Sequence, residues 1–296
     1  MTRRVALVTG ASGLIGSRTL APLRRLGFEV HGASRHTPAD RGFPHLIADL
    51  RDPPQIETVL ATLRPTHILH CAWDVTHGRF WQAPENIDWV AATLTLGRMA
   101  AAHGVARFVG VGTCVEYDWS DDTGGPRRED DPTRPHTLYG VAKDHTRALL
   151  AALFARTGTH FAWGRVFDLF GAGEAPGRFI ASLLRTLRAG ETFTCRHGQL
   201  QRDYLAVEDV GIALAALLAS DVEGPVNIAS GVAVALGDLA RDAAGLLGGA
   251  GRLVIDTQPA PSQPLVMRAN ITRLRHEVGA LPPRLLMEHL RILAGR

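Results

Sequence analysis

The chain opens on a short, unbroken apolar run, Val5-Ala6-Leu7-Val8, and similar runs recur between amphipathic stretches. Apolar residues without polar alternation mark a strand covered on both faces, because neither face meets water. The run ends in Thr9-Gly10-Ala11-Ser12-Gly13-Leu14-Ile15-Gly16, after which the spacing predicts a helix over 14–26 that Gly27 stops. Strands are predicted at 29–33, 46–48 and 67–70, with helices over 54–63 and 86–103. A strand at 108–111 runs into Gly112-Thr113, and a helix over 139–156 and a strand at 161–166 come later. Between them, the polar stretch 118–137, rich in Gly, Pro and Asp, reads as a surface loop. Strand and helix alternate, which implies an α/β fold with a parallel sheet and helices on both faces. Beyond Val166 the regularity falls. Residues 171–177 and the Pro-rich 258–264 read as loops, 179–188 and 207–218 as helices, and 227–229 as a short returning strand.

Composition removes several classes. A 296-residue chain with 46% hydrophobic and 21% charged residues is too apolar to be disordered and long enough to bury a large core. At about 150 residues per domain it holds two domains or one large one. The net charge is only +3, without a block of like charge, so no nucleic-acid arm is expected. Three scattered cysteines, Cys71, Cys114 and Cys195, fit a reducing cytoplasm. No signal-peptide layout and no membrane-length apolar run are read, so the expectation is a cytoplasmic protein away from membranes.

Gly10-x-x-Gly13-x-x-Gly16 lies between a predicted strand and helix. That context suits a pyrophosphate. Glycines let the backbone approach it, and the helix N-terminus offers free N–H groups and a positive dipole end. A structural turn is the plain alternative. NAD readers place an acid at the end of the second strand to hold the ribose 2′-hydroxyl. Here the stretch is Gly32-Ala33-Ser34-Arg35-His36, so Ser34 and Arg35 favour a 2′-phosphate and hence NADP(H), with NAD(H) the other possibility. Asp49, next to Leu50, is placed to accept from an adenine amino group or to cap the following helix.

Tyr139 and Lys143 stand four apart on one helix face. A nearby ammonium stabilises a phenolate, which brings Tyr139 toward useful acid–base chemistry. Thr113, at the end of a strand facing the cofactor crevice, can hold the substrate oxygen.

Together these segments resemble the extended short-chain dehydrogenase/reductases, the NAD(P)-dependent sugar epimerase/dehydratase group. The resemblance runs through Thr9–Gly16, His67-Ile68-Leu69-His70-Cys71-Ala72, Thr113-Cys114-Val115-Glu116-Tyr117, Tyr139–Lys143, Arg165–Gly171 and Gly198–Tyr204. It implies that Gly10, Ser12, Gly13, Leu14, Ile15, Gly16, Asp49, Leu50, Cys71, Ala72, Tyr139 and Lys143 contact the cofactor. It implies a nucleoside-diphosphate sugar as substrate and a homodimer through helices near 86–103 and 139–156. The expected architecture is a Rossmann-type doubly wound parallel sheet with a small, interleaved C-terminal substrate domain. The sheet domain takes residues 1–165 and is rejoined at about 205–230, and the substrate domain takes 166–204 and 231–296.

Departures narrow the chemistry. Family dehydratases carry Asp and Glu directly after the catalytic threonine, and here those positions are Cys114 and Val115. Glu116 comes one position late and, by strand alternation, is expected to face away from Val115. Cys114 is read as a small packed thiol. Asp168 and Trp89 replace family asparagines, and a carboxylate near a diphosphate requires a paired arginine. Arg178, Arg202 and Arg268 suit the diphosphate, since arginine forks match phosphate. No metal is expected despite 13 histidines, because His67 and His70 fall on opposite faces of a strand and no HExxH motif occurs. The tryptophans show no basic–aromatic pattern for nucleic acid.

The implied function is NADPH-dependent reduction of a 4-keto, 6-deoxy type nucleotide sugar with Thr113, Tyr139 and Lys143. A C4 epimerase with tightly held NAD and a non-catalytic NADP(H)-binding sensor or scaffold stand as alternatives.

Overall fold

A computed structural model of the chain describes residues 3–36, 42–120, 124–258, 263–280 and 285–295. The main sheet is built from β1 (Val5–Thr9), β2 (Glu29–Ser34), β3 (His45–Ile47), β4 (His67–His70), β5 (Arg107–Thr113) and β6 (His160–Val166). A smaller region follows with β7 (Asp168–Phe170), β8 (Phe193–Cys195) and β9 (Gln201–Ala206). The chain then returns to the main sheet through β10 (Gly224–Ile228) before β11 (Ala233–Ala235), β12 (Leu253–Ile255) and β13 (Val266–Met267). The main sheet runs β3-β2-β1-β4-β5-β6-β10, with every pairing parallel. This is a Rossmann-type doubly wound sheet. Its strand order reverses between β1 and β4, and ligands of open α/β sheets bind at such a point.

Burial explains the unbroken apolar runs. All five residues of β1 and all seven of β5 are buried, because helices cover both faces. The helices are α1 (Leu14–Arg25), α2 (Pro53–Leu63), α3 (Glu85–Ala102), α4 (Leu138–Phe154), α5 (Phe179–Arg188), α6 (Val207–Ala219), α7 (Leu236–Leu246), α8 (Thr272–His276) and α9 (Leu286–Ala294). Leu20 and Leu23 of α1 and Leu214, Leu217 and Leu218 of α6 join Val8, Val109 and Ile228 in one core. Leu96 of α3 and Leu150 and Phe154 of α4 join Leu7, Ile68 and Phe108 in another. Gly27, at φ +82°, stops α1 as expected, and Phe28 N–H closes back on the Leu23 carbonyl at 3.2 Å.

A smaller sheet runs β11-β9-β13, with β7 also pairing β9, and β8 pairs β12. Its core holds Phe170, Leu183, Leu184, Tyr204 and Leu239. The strands of this sheet, the β8–β12 pair and the helices α7–α9 were not among the predicted elements. The stretch 118–137 is more than a surface loop. Buried Arg127 exchanges backbone bonds with Arg268 and Asn270 at 2.8 Å each and ties the stretch down. Of the expected loop 258–264, residues 259–262 lie outside the described residues.

Candidate active site

The glycine loop runs from the C-terminal end of β1 into α1. Gly10 has φ +66°, which an L side chain rarely adopts, and a Cβ there would stand 2.8 Å from Ala72 Cα. A Cβ on Gly16 would collide with the Gly10 carbonyl oxygen. Both glycines therefore bring the loop onto Cys71-Ala72 at the end of β4. Ser12 and Gly13 are exposed, and Leu14 and Ile15 half-buried. Gly13 caps α1 in extended conformation without a side-chain cap, and the first turn has no acid. The helix thus presents uncapped N–H groups beside a backbone cradle, which fits a pyrophosphate.

The end of β2 differs from expectation. Ser34 is buried, donates to the His36 carbonyl and bonds His45 Nε2, both at 2.8 Å. Its hydroxyl proton is spent within the chain, which leaves Arg35 as the cation of that pair. Arg35 is exposed and forms no ion pair among the described residues. Asp49 makes a two-point pair with Arg51, at 3.0 and 2.7 Å, which draws its carboxyl down to about 2. Asp49 is also not the cap of α2; Asp52 occupies that position. Leu50 is buried beside it. Arg35 and Arg51 lie 5.9 and 5.8 Å from the Trp89 ring, so the residue replacing a family asparagine is an aromatic platform between two cations. Asn86, one turn earlier, ties the 73–83 segment to α3. Its amide donates to the Phe80 and Ala83 carbonyls and accepts from the Trp73 indole at 2.8 Å.

Thr113, Tyr139 and Lys143 do come together. Thr113 ends β5 with 9% exposure, and its hydroxyl accepts from Val115 N–H at 3.4 Å. Thr137 caps α4 through Gly140 N–H, which sets the helix on which Tyr139 and Lys143 project. Phe80, Trp81 and Trp73 pack edge-on around the Tyr139 ring, at 4.9, 5.9 and 6.4 Å. Lys143 donates to the Val111 carbonyl at 2.8 Å and sits 3.9 Å from the Trp73 ring centre. Burial lowers this ammonium to about 7. The expected lowering of Tyr139 by Lys143 is not found. Burial pushes the phenol above its ordinary range, helped by the Glu116 charge, while Lys143 Nζ is 6.0 Å from the ring centre.

Glu116 corrects another expectation. Residues Cys114–Glu116 form a 3₁₀ turn, so strand alternation does not apply, and Glu116 folds back onto Thr113. It is fully buried against Arg165 at 2.8 Å. Cys114 is buried and its thiol pushed well up, so it stays protonated. Burial pushes the Cys71 thiol up to about 12. His70 bridges Thr9 at 2.8 Å and Thr93 at 2.9 Å, and burial lowers it to about 3, so it is neutral.

The arginines are less free than expected. Arg178 pairs with Glu174 at 2.8 Å, and Arg202 donates to the Gln201, Pro264 and Leu265 carbonyls. Arg268 makes no ion pair among the described residues, and its Nε is buried without a partner. Asp168 is half-buried, and burial raises its carboxyl while the charges of Arg202 and Arg178 oppose the rise. Among the described residues no three His, Cys, Asp or Glu side chains gather as metal ligands, and no helix is long and apolar enough to cross a membrane. Sequence reasoning assigns no site role to Glu116 or Asn86, and it reads Trp73 and Trp163 only as core or pocket walls. The available signal was Gly110-x-Gly112, small residues on a central strand that make room for something bulky.

Comparison with known proteins places the chain in a family. A model of the NAD dependent epimerase/dehydratase family matches residues 6–229. Over 204 residues, 65% of this chain and 59% of that protein, the chain is 28% identical to dTDP-4-dehydrorhamnose reductase of Streptomyces griseus. It therefore spans about three fifths of that relative's length. Over 280 residues, 86% of this chain and 84% of the other, it is 26% identical to dTDP-4-dehydro-6-deoxy-D-allose reductase of Streptomyces bikiniensis. The fold superposes on UDP-glucose 4-epimerase of Thermotoga maritima, solved with UDP-glucose, with a TM-score of 0.87 at 20% identity, covering 98% of this chain and 97% of that one.

Proposed function

The chain belongs to the NAD dependent epimerase/dehydratase family, as an NAD(P)-dependent oxidoreductase of the extended short-chain type, and on that premise we propose that it reduces a 4-keto nucleoside-diphosphate sugar with NADPH. The observation that carries the reading is the placement of Tyr139 and Lys143 on α4 against the end of β5, where Lys143 bonds the Val111 carbonyl two residues before Thr113. Tyr139 can give its proton to an alkoxide formed by hydride delivery, which is the acid role a reduction needs. Two relatives are nucleotide-sugar 4-ketoreductases, which supports a nucleotide-sugar substrate, while UDP-glucose 4-epimerases match at similar identity. Cys114 and Val115, where dehydratases carry an acid and a base, leave hydride transfer without elimination.

Hydride delivery to the keto carbon is the chemistry a bound NADPH supplies. Gly10, Ser12, Gly13 and the N-terminus of α1 would hold its pyrophosphate, and Arg35 its 2′-phosphate. Lys143 uses one donor on Val111 and has two more for ribose hydroxyls. Thr113 donates to the keto oxygen and fixes it. Tyr139 passes its proton to the forming alkoxide. This combines orientation with electrostatic stabilisation at the atom where charge develops. Arg268 is assigned to the diphosphate, and Asp168 to donor groups of the sugar. The smaller sheet and its helices form the substrate side, and a homodimer through α3 and α4 in the cytoplasm completes the reading.

The test is NADPH oxidation against a panel of nucleotide 4-keto sugars. Net oxidation supports the proposal. Interconversion of two sugars without net oxidation, with NAD retained by the purified protein, replaces it with epimerisation.

A further inference from the structure

Directly behind Thr113, three parts of the fold converge on one carboxylate. Glu116 Oε1 accepts from the Thr113 backbone N–H at 2.8 Å and from the Trp163 indole at 2.9 Å, and Oε2 accepts from Arg165 Nε at 2.8 Å. β5 makes room for this arrangement. A Cβ on Gly112 would collide with both Trp163 Nε1 and Glu116 Oε1, and one on Gly110 with the Trp163 ring. The Trp163 ring in turn faces Lys143 Nζ at 5.8 Å. An ion pair serving stability alone would not need to be anchored on the backbone of the residue that meets the substrate oxygen.

We infer that Glu116 is a positioning residue for the reduction proposed above: it fixes Thr113 through its backbone N–H and sets its carboxylate charge behind the site of Tyr139 and Lys143. That charge favours the protonated form of both. After burial itself, Glu116 has the largest influence on Tyr139, with Cys114 and Arg178 also facing it. Glu116 likewise opposes the lowering of Lys143, which also faces Cys71 and neutral His70. The inference rests on the reductase reading for its kinetic readout but not for its spectroscopic one.

Two substitutions separate reach from charge. Glu116→Gln keeps the reach and loses the charge. It should lower kcat at least ~10-fold with KM within about 2-fold, and move the alkaline limb of kcat toward lower pH. Glu116→Asp keeps the charge and loses the reach, so kcat should fall while the limb stays. NMR of ¹³C-labelled tyrosine needs no turnover. The chain has three tyrosines, and the Tyr139 signal, assigned by its loss in Tyr139→Phe, should titrate at lower pH in Glu116→Gln. If unpaired Arg165 prevents folding, Glu116→Gln with Arg165→Gln should give the same shift. Wild-type kcat with an unmoved limb and an unmoved Tyr139 signal in Glu116→Gln would overturn the inference. A wild-type protein that reduces no keto sugar would count against the reductase reading alone, and the NMR shift would still decide for Glu116.

Discussion

Lys143 Nζ stands 3.9 Å from the centre of the Trp73 ring while donating to the Val111 carbonyl at 2.8 Å. An ammonium buried between an indole face and one carbonyl has lost most of its water, and it is lowered to about 7. The unfolded chain holds that proton up to about 10.5. Between these values the unfolded state binds more protons, so stability rises with pH there and is lost as pH falls through 7. Lys143→Met removes this dependence. Urea unfolding from pH 6 to 10 should show wild type gaining on the variant by at most about 1.4 kcal/mol per pH unit. Parallel curves would contradict the burial argument.

Tyr139→Phe keeps the aromatic packing against Phe80, Trp81 and Trp73 and removes only the proton donor. kcat should fall by about 10²–10⁴, the usual contribution of a positioned acid. NADPH affinity, measured by fluorescence titration, should stay close to wild type.

Arg35 is the cation left at the end of β2, since the Ser34 hydroxyl is bonded to His36 and His45. Arg35→Ala should weaken NADPH binding by about 10- to 100-fold, as expected for a charge-assisted bond, and leave NADH binding unchanged. Ser34→Ala should change the NADPH-to-NADH ratio far less. Equal losses for both cofactors in Arg35→Ala would remove the 2′-phosphate assignment.

Gly112→Ala sets a methyl against Trp163 and Glu116 on a fully buried strand. Overpacking there should cost about 1–3 kcal/mol in chemical denaturation and lower activity through Thr113. Gly27→Ala also meets a positive φ but contacts nothing within 4 Å, so it should cost stability without touching activity.

What could be read in advance follows physical range. The central strands β1 and β5 were legible because burial on both faces leaves unbroken apolar runs, and the alternation of strand and helix around them placed the rest of the main sheet. Thr113, Tyr139 and Lys143 were legible because strand end and helix face place them. The strands after the main sheet were mostly not, since β7, β8 and β11–β13 are two or three residues long and carry no period. Side-chain commitments were also hidden. That Ser34 serves His45, Asp49 serves Arg51, and Arg202 serves the 264–265 backbone depends on contacts between distant or folded-back segments. Glu116 was misread because the strand ends at Thr113 and a 3₁₀ turn begins, so alternation stops one residue before it matters.

The most direct measurement of the central claim is NADPH consumption against product formed, for wild type and Tyr139→Phe, with nucleotide 4-keto sugars. The account predicts one NADPH oxidised per keto sugar reduced by wild type and almost none by Tyr139→Phe. Two sugars interconverting with no net NADPH consumed, or full turnover by Tyr139→Phe, would contradict it.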